Sequence, residues 1–247
     1  MPHAHVIALA APRPATRAAA PQYGALEARF RAFIAADDFP CVGSKLALAR
    51  GGLHALELAP LGDVANDAPL LDALSEFARM LDARTQDDAG VDSLVALFRG
   101  PRSMDERAFE RQLWNQLQRL HELDAARGTP WAADVARDAA SPRFSMSLAG
   151  HPFFVIGLHP GASRMARRFE APVLVFNSHR QFNRLRADGR FAKMQQATRA
   201  RDIVLQGSLN PNLSDHGEAS EARQYSGRAV DAEWRCPFRA VDAGGAT

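Results

Sequence analysis

Three apolar runs of strand length follow one another in the second half of the chain, and the way they are connected restricts the fold. They cover residues 144–148, 153–158 and 173–176, and only residues 149–152 separate the first run from the second. A parallel pair of strands needs a crossover of about a dozen residues or more, so the first two runs should pair antiparallel. Too many strands are joined by short turns for a doubly wound parallel sheet. The sequence therefore predicts an α+β fold with a mixed or antiparallel sheet and packed helices.

Apolar residues spaced three and four apart predict the helices. This pattern occurs at residues 24–36, 70–81, 104–126, 182–186 and 191–204. A further apolar run at residues 94–98 has the length of a strand, and the pair Gly100-Pro101 ends it. Two shorter runs joined across Gly51-Gly52 are typical of a β-hairpin, and they cover residues 45–49 and 53–58.

The composition divides the chain into one domain and two tails. Residues 1–22 are rich in Ala and Pro and lack the basic start and long apolar core of a signal peptide, so we expect a flexible tail. Residues 23–239 form a single domain, and residues 240–247 a second flexible tail. No stretch approaches the roughly 20 consecutive apolar residues of a membrane span. We therefore expect a soluble protein that is not bound to a membrane.

The C-terminal part of the domain is long and irregular. Helical and strand periodicity disappears from residue 206 to residue 238, although Tyr225, Trp234 and Phe238 lie there. Long ordered loops are uncommon in compact domains and are usually functional. We expect this segment to pack onto the domain and to close a site.

The charges of the chain are strongly segregated. The 30 Lys and Arg residues exceed the 28 Asp and Glu residues by only two. Residues 143–201, however, contain eleven basic and two acidic residues and carry a charge of +9, so the remainder carries −7. Such a basic segment favours an anionic partner.

Two histidines follow predicted strands within the basic segment. His159 ends an apolar run and precedes a Pro-Gly turn and three arginines, Arg164, Arg167 and Arg168. Such a loop could hold a histidine rigidly while the arginines face an anion. His179 follows the next strand. If the two strands pair, we expect both histidines at one edge of the sheet, as in a cofactor site, although a structural hydrogen bond stays open for each.

Several common motifs are missing from the sequence. It contains no His-Glu-x-x-His, Cys-x-x-Cys, Walker loop, Gly-x-Gly-x-x-Gly or Gly-x-Ser-x-Gly motif. Its two cysteines, Cys41 and Cys236, are a poor staple for a domain of this size, which favours a reducing cytoplasm. Each cysteine adjoins a proline and an aromatic residue. Both a buried free thiol and a thiolate ligand of haem iron remain open for them.

A series of short motifs between about residues 30 and 238 resembles the YqcI/YcgG family. The motifs occur in order and are Phe39-Pro40-Cys41, Gly157-Leu158-His159-Pro160, Ser163-Arg164, Arg167-Arg168-Phe169, Phe176-Asn177, His179, Gln181-Phe182, Gln206-Gly207-Ser208, Asn210-Pro211, Gln224-Tyr225-Ser226-Gly227-Arg228, Trp234 and Cys236-Pro237-Phe238. Members of this family with assigned activities resemble haem-dependent N-oxygenases of natural-product pathways. They include arginine guanidine N-hydroxylases and the enzyme of pre-guanitoxin formation.

The resemblance implies an enzyme that binds haem b. We expect it to hydroxylate a guanidine or amine nitrogen, with free L-arginine as the foremost substrate, using O2 and electrons from a separate donor or reductase. The expected axial ligand is His159, and the alternatives are His179, His121, Cys41 and Cys236. The remaining expectations are propionate contacts from Arg164, Arg167 and Arg168, guanidinium contacts from Asp215, Glu218 and Glu221, and substrate carboxylate contacts from Arg223 or Arg228.

Other functions remain open at the level of the sequence. A non-haem iron oxygenase could use two histidines and a carboxylate, for instance His159, His179 and Glu218. A haem sensor or carrier would bind the cofactor without turnover. A module that binds nucleic acid or another polyanion would use the +9 segment, but the aromatic platform typical of single-strand binding is missing, and we expect no nucleic-acid partner. A homodimer is possible.

Overall fold

A mixed five-stranded sheet forms the centre of the computed structural model, which describes residues 24–84, 90–213 and 217–243. Its order is β1-β2-β5-β4-β3. β1 and β2 are parallel, whereas the other three neighbouring pairs are antiparallel. This arrangement confirms the α+β class. The strands are β1 (Leu53–Leu58), β2 (Ser93–Phe98), β3 (Met146–Leu148), β4 (His151–Leu158) and β5 (Val173–Ser178).

Helices cover both faces of the sheet. They are α1 (Ala25–Ala35), α2 (Val42–Ala49), α3 (Asp67–Asp82), α4 (Glu106–Ala126), α5 (His179–Ala187), α6 (Arg190–Gln206) and α7 (Ala222–Tyr225). Short 3-10 helices occur at Val64–Asn66 and Met165–Arg167. Within the described residues, no helix has both the length and the apolar character needed to cross a membrane. The predicted tail at residues 1–22 lies outside the described residues.

The two faces of the sheet have separate cores because successive side chains of a strand point to opposite sides. On the first face, which we call the α4 face, strand residues such as Phe98 and Phe176 pack with α3 and α4. On the second face, which we call the α1 face, residues such as Val95 and Val173 pack with α1 and α2. β2 is buried along its whole length, as expected for a strand covered on both sides.

The predicted hairpin at residues 45–58 is wrong. Residues 42–49 form α2, and β1 pairs with β2 instead. Gly51 has a positive φ of 72°, and the Gly52 N–H bonds to the Ala47 carbonyl, so the glycine pair terminates a helix. Glycine with a positive φ is common both at helix ends and in hairpin turns. An apolar run this short does not distinguish a helix from a strand.

The expected meeting of His159 and His179 at one edge is also wrong. β4 and β5 do pair, but antiparallel, with Phe153 opposite Ser178 and Leu158 opposite Val173. His159 follows the end of β4 and His179 follows the end of β5, so they lie at opposite ends of the pair. Five residues of strand separate the two ends by about 17 Å. One iron ion cannot bind both, because nitrogen ligands lie about 2 Å from a metal.

Candidate functional site

A cleft lies between the α1 face of the sheet and helices α2, α5 and α6. It consists of two adjoining cavities of about 270 and 220 Å³, which we call the first and the second cavity. Phe154 and Ile156 of β4 line both, as do Cys41 and Leu213. Cofactor and small-molecule sites typically have volumes of about 300–1,000 Å³, so the two cavities together fall in that class.

The strand alternation of β4 and β5 decides which side chains enter the cleft. Phe154 and Ile156 project from β4 onto the α1 face, and Asn177 of β5 lies opposite Phe154. The Ser93 hydroxyl of β2 donates a hydrogen bond to Asn177 Oδ1 at 2.7 Å. The floor of the first cavity is therefore apolar on β4 and polar where β2 meets β5.

His179 lies in the first cavity. It is the first residue of α5, directly after β5, and its side chain is buried. The preceding Ser178 caps the helix, because its Oγ accepts the Gln181 N–H at 3.2 Å. The strand and the cap together hold the imidazole in place at the cavity wall.

His159 lies on the α4 face, and neither cavity is lined by it. Its ring stacks on Phe109 of α4 with the centroids 4.3 Å apart. The side chain is buried, and neither ring nitrogen has a hydrogen-bond partner among the described residues. Burial lowers the pKa of His159 to about 4, so the imidazole is neutral at pH 7. The residue expected first as iron ligand is thus outside the cleft.

Of the other expected iron ligands, some lie in the cleft and some lie outside it. His121 packs between Trp131 and Phe238, and its Nε2 accepts the Val241 N–H at 2.9 Å. Cys236 packs against the core of the α4 face, and burial raises the pKa of its thiol to about 12. Cys41, a free thiol directly before α2, lines both cavities. Of the five expected ligands, His179 and Cys41 line the cleft.

The three expected propionate partners are already bonded to the protein. Arg164 pairs with Asp202 and donates to the Ser208 carbonyl at 2.7 Å. Arg167 is half-buried and donates to the carbonyls of Gly157, Gln224 and Tyr225 at 3.0 to 3.2 Å. Both line the second cavity. Arg168 donates to carbonyls of its own loop and lines neither cavity.

Two arginines that sequence analysis did not single out lie in the cleft. Arg186 of α5 lines the first cavity, and its guanidinium lies 4.6 Å from the centroid of the Phe191 ring. Arg199 of α6 lines both cavities. The sequence signal for both arginines was the excess of basic residues between positions 143 and 201. The sequence could not select Arg199 from the eleven basic residues, because α6 has no continuous apolar stripe that would orient it.

Glu221 is the expected substrate residue that reaches the cleft. It lines the first cavity, and the Tyr225 hydroxyl donates to its Oε1 at 2.6 Å. Burial raises the pKa of Glu221 to about 7. Glu218 is exposed and lines neither cavity, and Asp215 lies outside the described residues.

The expected carboxylate partners of the substrate lie elsewhere. Arg228 donates to Glu110 of α4 at 2.8 Å, and Arg223 donates to the carbonyls of Val230 and Asp231. Neither of these arginines lines the cleft. Arg186 and Arg199 are the cationic side chains that share the first cavity with Glu221.

Comparison with known proteins identifies the family. The profile of the YqcI/YcgG family matches residues 30–239. No curated protein and no solved structure matches the chain. The matched region includes every residue that lines the two cavities. The chain therefore belongs to the YqcI/YcgG family.

Proposed function

We propose that the protein is a haem-dependent N-oxygenase that hydroxylates a guanidine or amine nitrogen, with free L-arginine as the foremost substrate. One observation carries the proposal. The cleft combines a buried imidazole, a half-buried carboxylate and arginine side chains around apolar walls, in a member of the family whose resemblance implies this activity.

The chemistry of the cleft fits haem b. Phe154, Ile156 and Phe182 offer apolar surface for a porphyrin. His179 would hold the iron, and Cys41 is the alternative on the same cleft. Arg186 or Arg199 would bind a propionate through charge-assisted hydrogen bonds. Dioxygen activation is the chemistry that haem supplies when bound.

The remaining residues of the first cavity suit a basic amino acid. A guanidinium group is planar and cationic, and Glu221 offers it a carboxylate. An arginine not used by a propionate would bind the carboxylate of the substrate. Both cysteines are free, which suits a reducing cytoplasm, and a separate reductase would supply the electrons.

Haem titration tests the cofactor and its ligand. We expect the haem-free protein to bind one equivalent of haemin and to develop a Soret band. His179→Ala should lose this band, and added imidazole should restore it because it replaces the missing side chain. His159→Phe is the matched control, and its spectrum should equal that of the wild type.

Three outcomes would change this proposal. Loss of the band in His159→Phe with retention in His179→Ala would return the ligand to His159. A reduced carbon monoxide complex with a thiolate-type band would assign the iron to Cys41. A wild-type protein that binds no haem contradicts the proposal.

A further inference from the structure

Glu221 and Tyr225 form a hydrogen-bonded pair one helical turn apart, at the wall of the first cavity. Tyr225 is fully buried and stacks on Trp114 with ring centroids 5.5 Å apart. Its hydroxyl lies 2.6 Å from Glu221 Oε1 and 3.1 Å from the Phe153 carbonyl. The same hydroxyl accepts the Met146 N–H at 3.1 Å. A rigid aromatic ring thus fixes the hydroxyl between two acceptors.

The hydroxyl has one hydrogen and can serve one of these acceptors at a time. When Glu221 is ionised, Tyr225 donates to the carboxylate. When Glu221 is protonated, its own O–H can donate to Tyr225 Oη, and the tyrosine hydrogen can turn to the Phe153 carbonyl. The carboxyl therefore has a hydrogen-bond partner in both protonation states, which reduces the free-energy cost of changing between them.

The surroundings of Glu221 keep both states accessible near neutral pH. Burial raises the pKa to about 7, while Tyr225, Ser145 and Arg186 act to lower it. The other titratable groups on the same cavity are Cys41 before α2, His179 and Arg186 of α5, and Arg199 of α6. At physiological pH the carboxyl is divided between its neutral and ionised forms.

We propose that the cleft takes up the cationic nitrogen group of its substrate in exchange for the proton of Glu221, with the Tyr225 hydroxyl turning from the Phe153 carbonyl to the carboxylate. This exchange rests on the proposed function for the class of substrate. One positive charge enters, and one proton leaves to the solvent. The net charge of the first cavity is unchanged, so the cost of placing an unpaired charge against its apolar walls is avoided.

The exchange selects cations over neutral molecules of the same shape. A guanidinium releases the proton because its charge stabilises the carboxylate, whereas a urea group leaves Glu221 protonated. L-Arginine and L-citrulline share the α-amino and carboxylate groups and differ in this end group. They are therefore a matched pair of probes.

Calorimetric titration of the full-length haem-free protein tests the exchange. In buffers of different ionisation enthalpy at pH 6, L-arginine should release close to one proton, since most of Glu221 is then protonated. The affinity should rise from pH 6 to pH 8. L-Citrulline should release no proton and should bind at least about tenfold more weakly at pH 8, because it forms no charge-assisted hydrogen bond with the carboxylate.

Variants distinguish the contribution of Glu221 to proton release from that of neighbouring residues. Glu221→Gln should abolish the proton release, and Glu218→Gln, which removes an exposed carboxylate of the same segment, should retain it. Tyr225→Phe should move the pH midpoint of binding upward, because the ionised carboxylate loses a donor. Circular dichroism checks that each variant is folded, and the proton release of the wild type is decisive even if a variant is not.

Two outcomes overturn the exchange. The first is arginine binding without proton release, or with equal affinity for citrulline. The second is failure of arginine to bind to both the haem-free and the haem-loaded protein. The measurement does not depend on turnover. Haem uptake without proton-linked binding contradicts the exchange alone, and proton-linked binding without haem uptake contradicts the N-oxygenase proposal alone.

Discussion

At the residue scale, two buried histidines at the ends of neighbouring strands have different environments. His179 borders the first cavity, whereas His159 stacks on Phe109 and has no hydrogen-bond partner for its ring within the described parts of the chain. Gly157 lies two residues before His159, on the same side of β4. A Cβ at this position would lie 2.6 Å from the Phe109 ring, so the glycine leaves space for that ring. On the α4 face, His159 thus packs as a neutral aromatic side chain.

This environment makes His159 a source of acid sensitivity. Burial lowers its pKa in the folded protein to about 4 from the ordinary value of 6.5. Between these two values the unfolded chain binds a proton that the folded chain does not, so stability falls as the pH falls from 6.5 to 4. His159→Phe should therefore lose less stability than the wild type between pH 7 and pH 4.5, by about 2 kcal/mol.

Urea titrations at the two pH values measure this difference. His151, whose pKa burial also lowers to about 4, is present in both proteins and its effect cancels in the comparison. An equal loss of stability in the wild type and in His159→Phe would contradict the assigned environment of His159.

At the element scale, Arg167 connects the end of β4 to the C-terminal segment. Its guanidinium donates to the Gly157 carbonyl on β4 and to the carbonyls of Gln224 and Tyr225 in α7. Burial lowers the pKa of Arg167 to about 10, which leaves it charged at neutral pH. This contact holds Tyr225 against the sheet, as expected for an irregular segment that packs onto the domain.

Replacing this arginine should loosen the segment. Arg167→Lys keeps the charge, but a single ammonium cannot reproduce the fork that reaches three carbonyls. We expect a loss of about 3 kcal/mol in the free energy of unfolding, since hydrogen bonds to charged groups contribute about 1.5–3 kcal/mol each. Limited proteolysis should cut the variant faster within residues 206–238.

Arg168→Lys is the matched control, because Arg168 contacts carbonyls of its own loop. It should change stability by about 0.5 kcal/mol or less, as surface substitutions usually do. Equal effects of the two substitutions would contradict the connecting role of Arg167.

Elements with a clear period were predictable from the sequence. Phe109, Leu113 and Leu117 are all buried on α4, as their spacing indicated. The eight residues of α2 were not predictable, because both a helix and a strand fit so short an apolar run. The strands β4 and β5 were located correctly, but the position of each histidine depends on the strand direction and on which side of the sheet it projects. Those are properties of the assembled sheet.

At the scale of the whole molecule, the charge segregation indicated the region of the candidate site but not which residues line the cleft. Part of the +9 segment is neutralised by the rest of the chain, for example where Arg180 binds Asp134 at 2.9 Å. Arg164 pairs with Asp202 at its own cavity. Arg186 and Arg199 line the first cavity with Glu221. These roles cannot be distinguished from one sequence, because each depends on contacts between distant segments.

Transfer of labelled oxygen to L-arginine separates an N-oxygenase from any other protein that binds haem. The haem-loaded protein is incubated with L-arginine, an electron donor and dioxygen enriched in the heavy oxygen isotope, and the products are analysed by mass spectrometry. We predict N-hydroxylated arginine that carries one labelled oxygen atom, formed by the wild type and by Glu218→Gln but not by His179→Ala. A haem-loaded, reducible wild-type protein that transfers no oxygen to arginine or to any other guanidine or amine contradicts the proposed function.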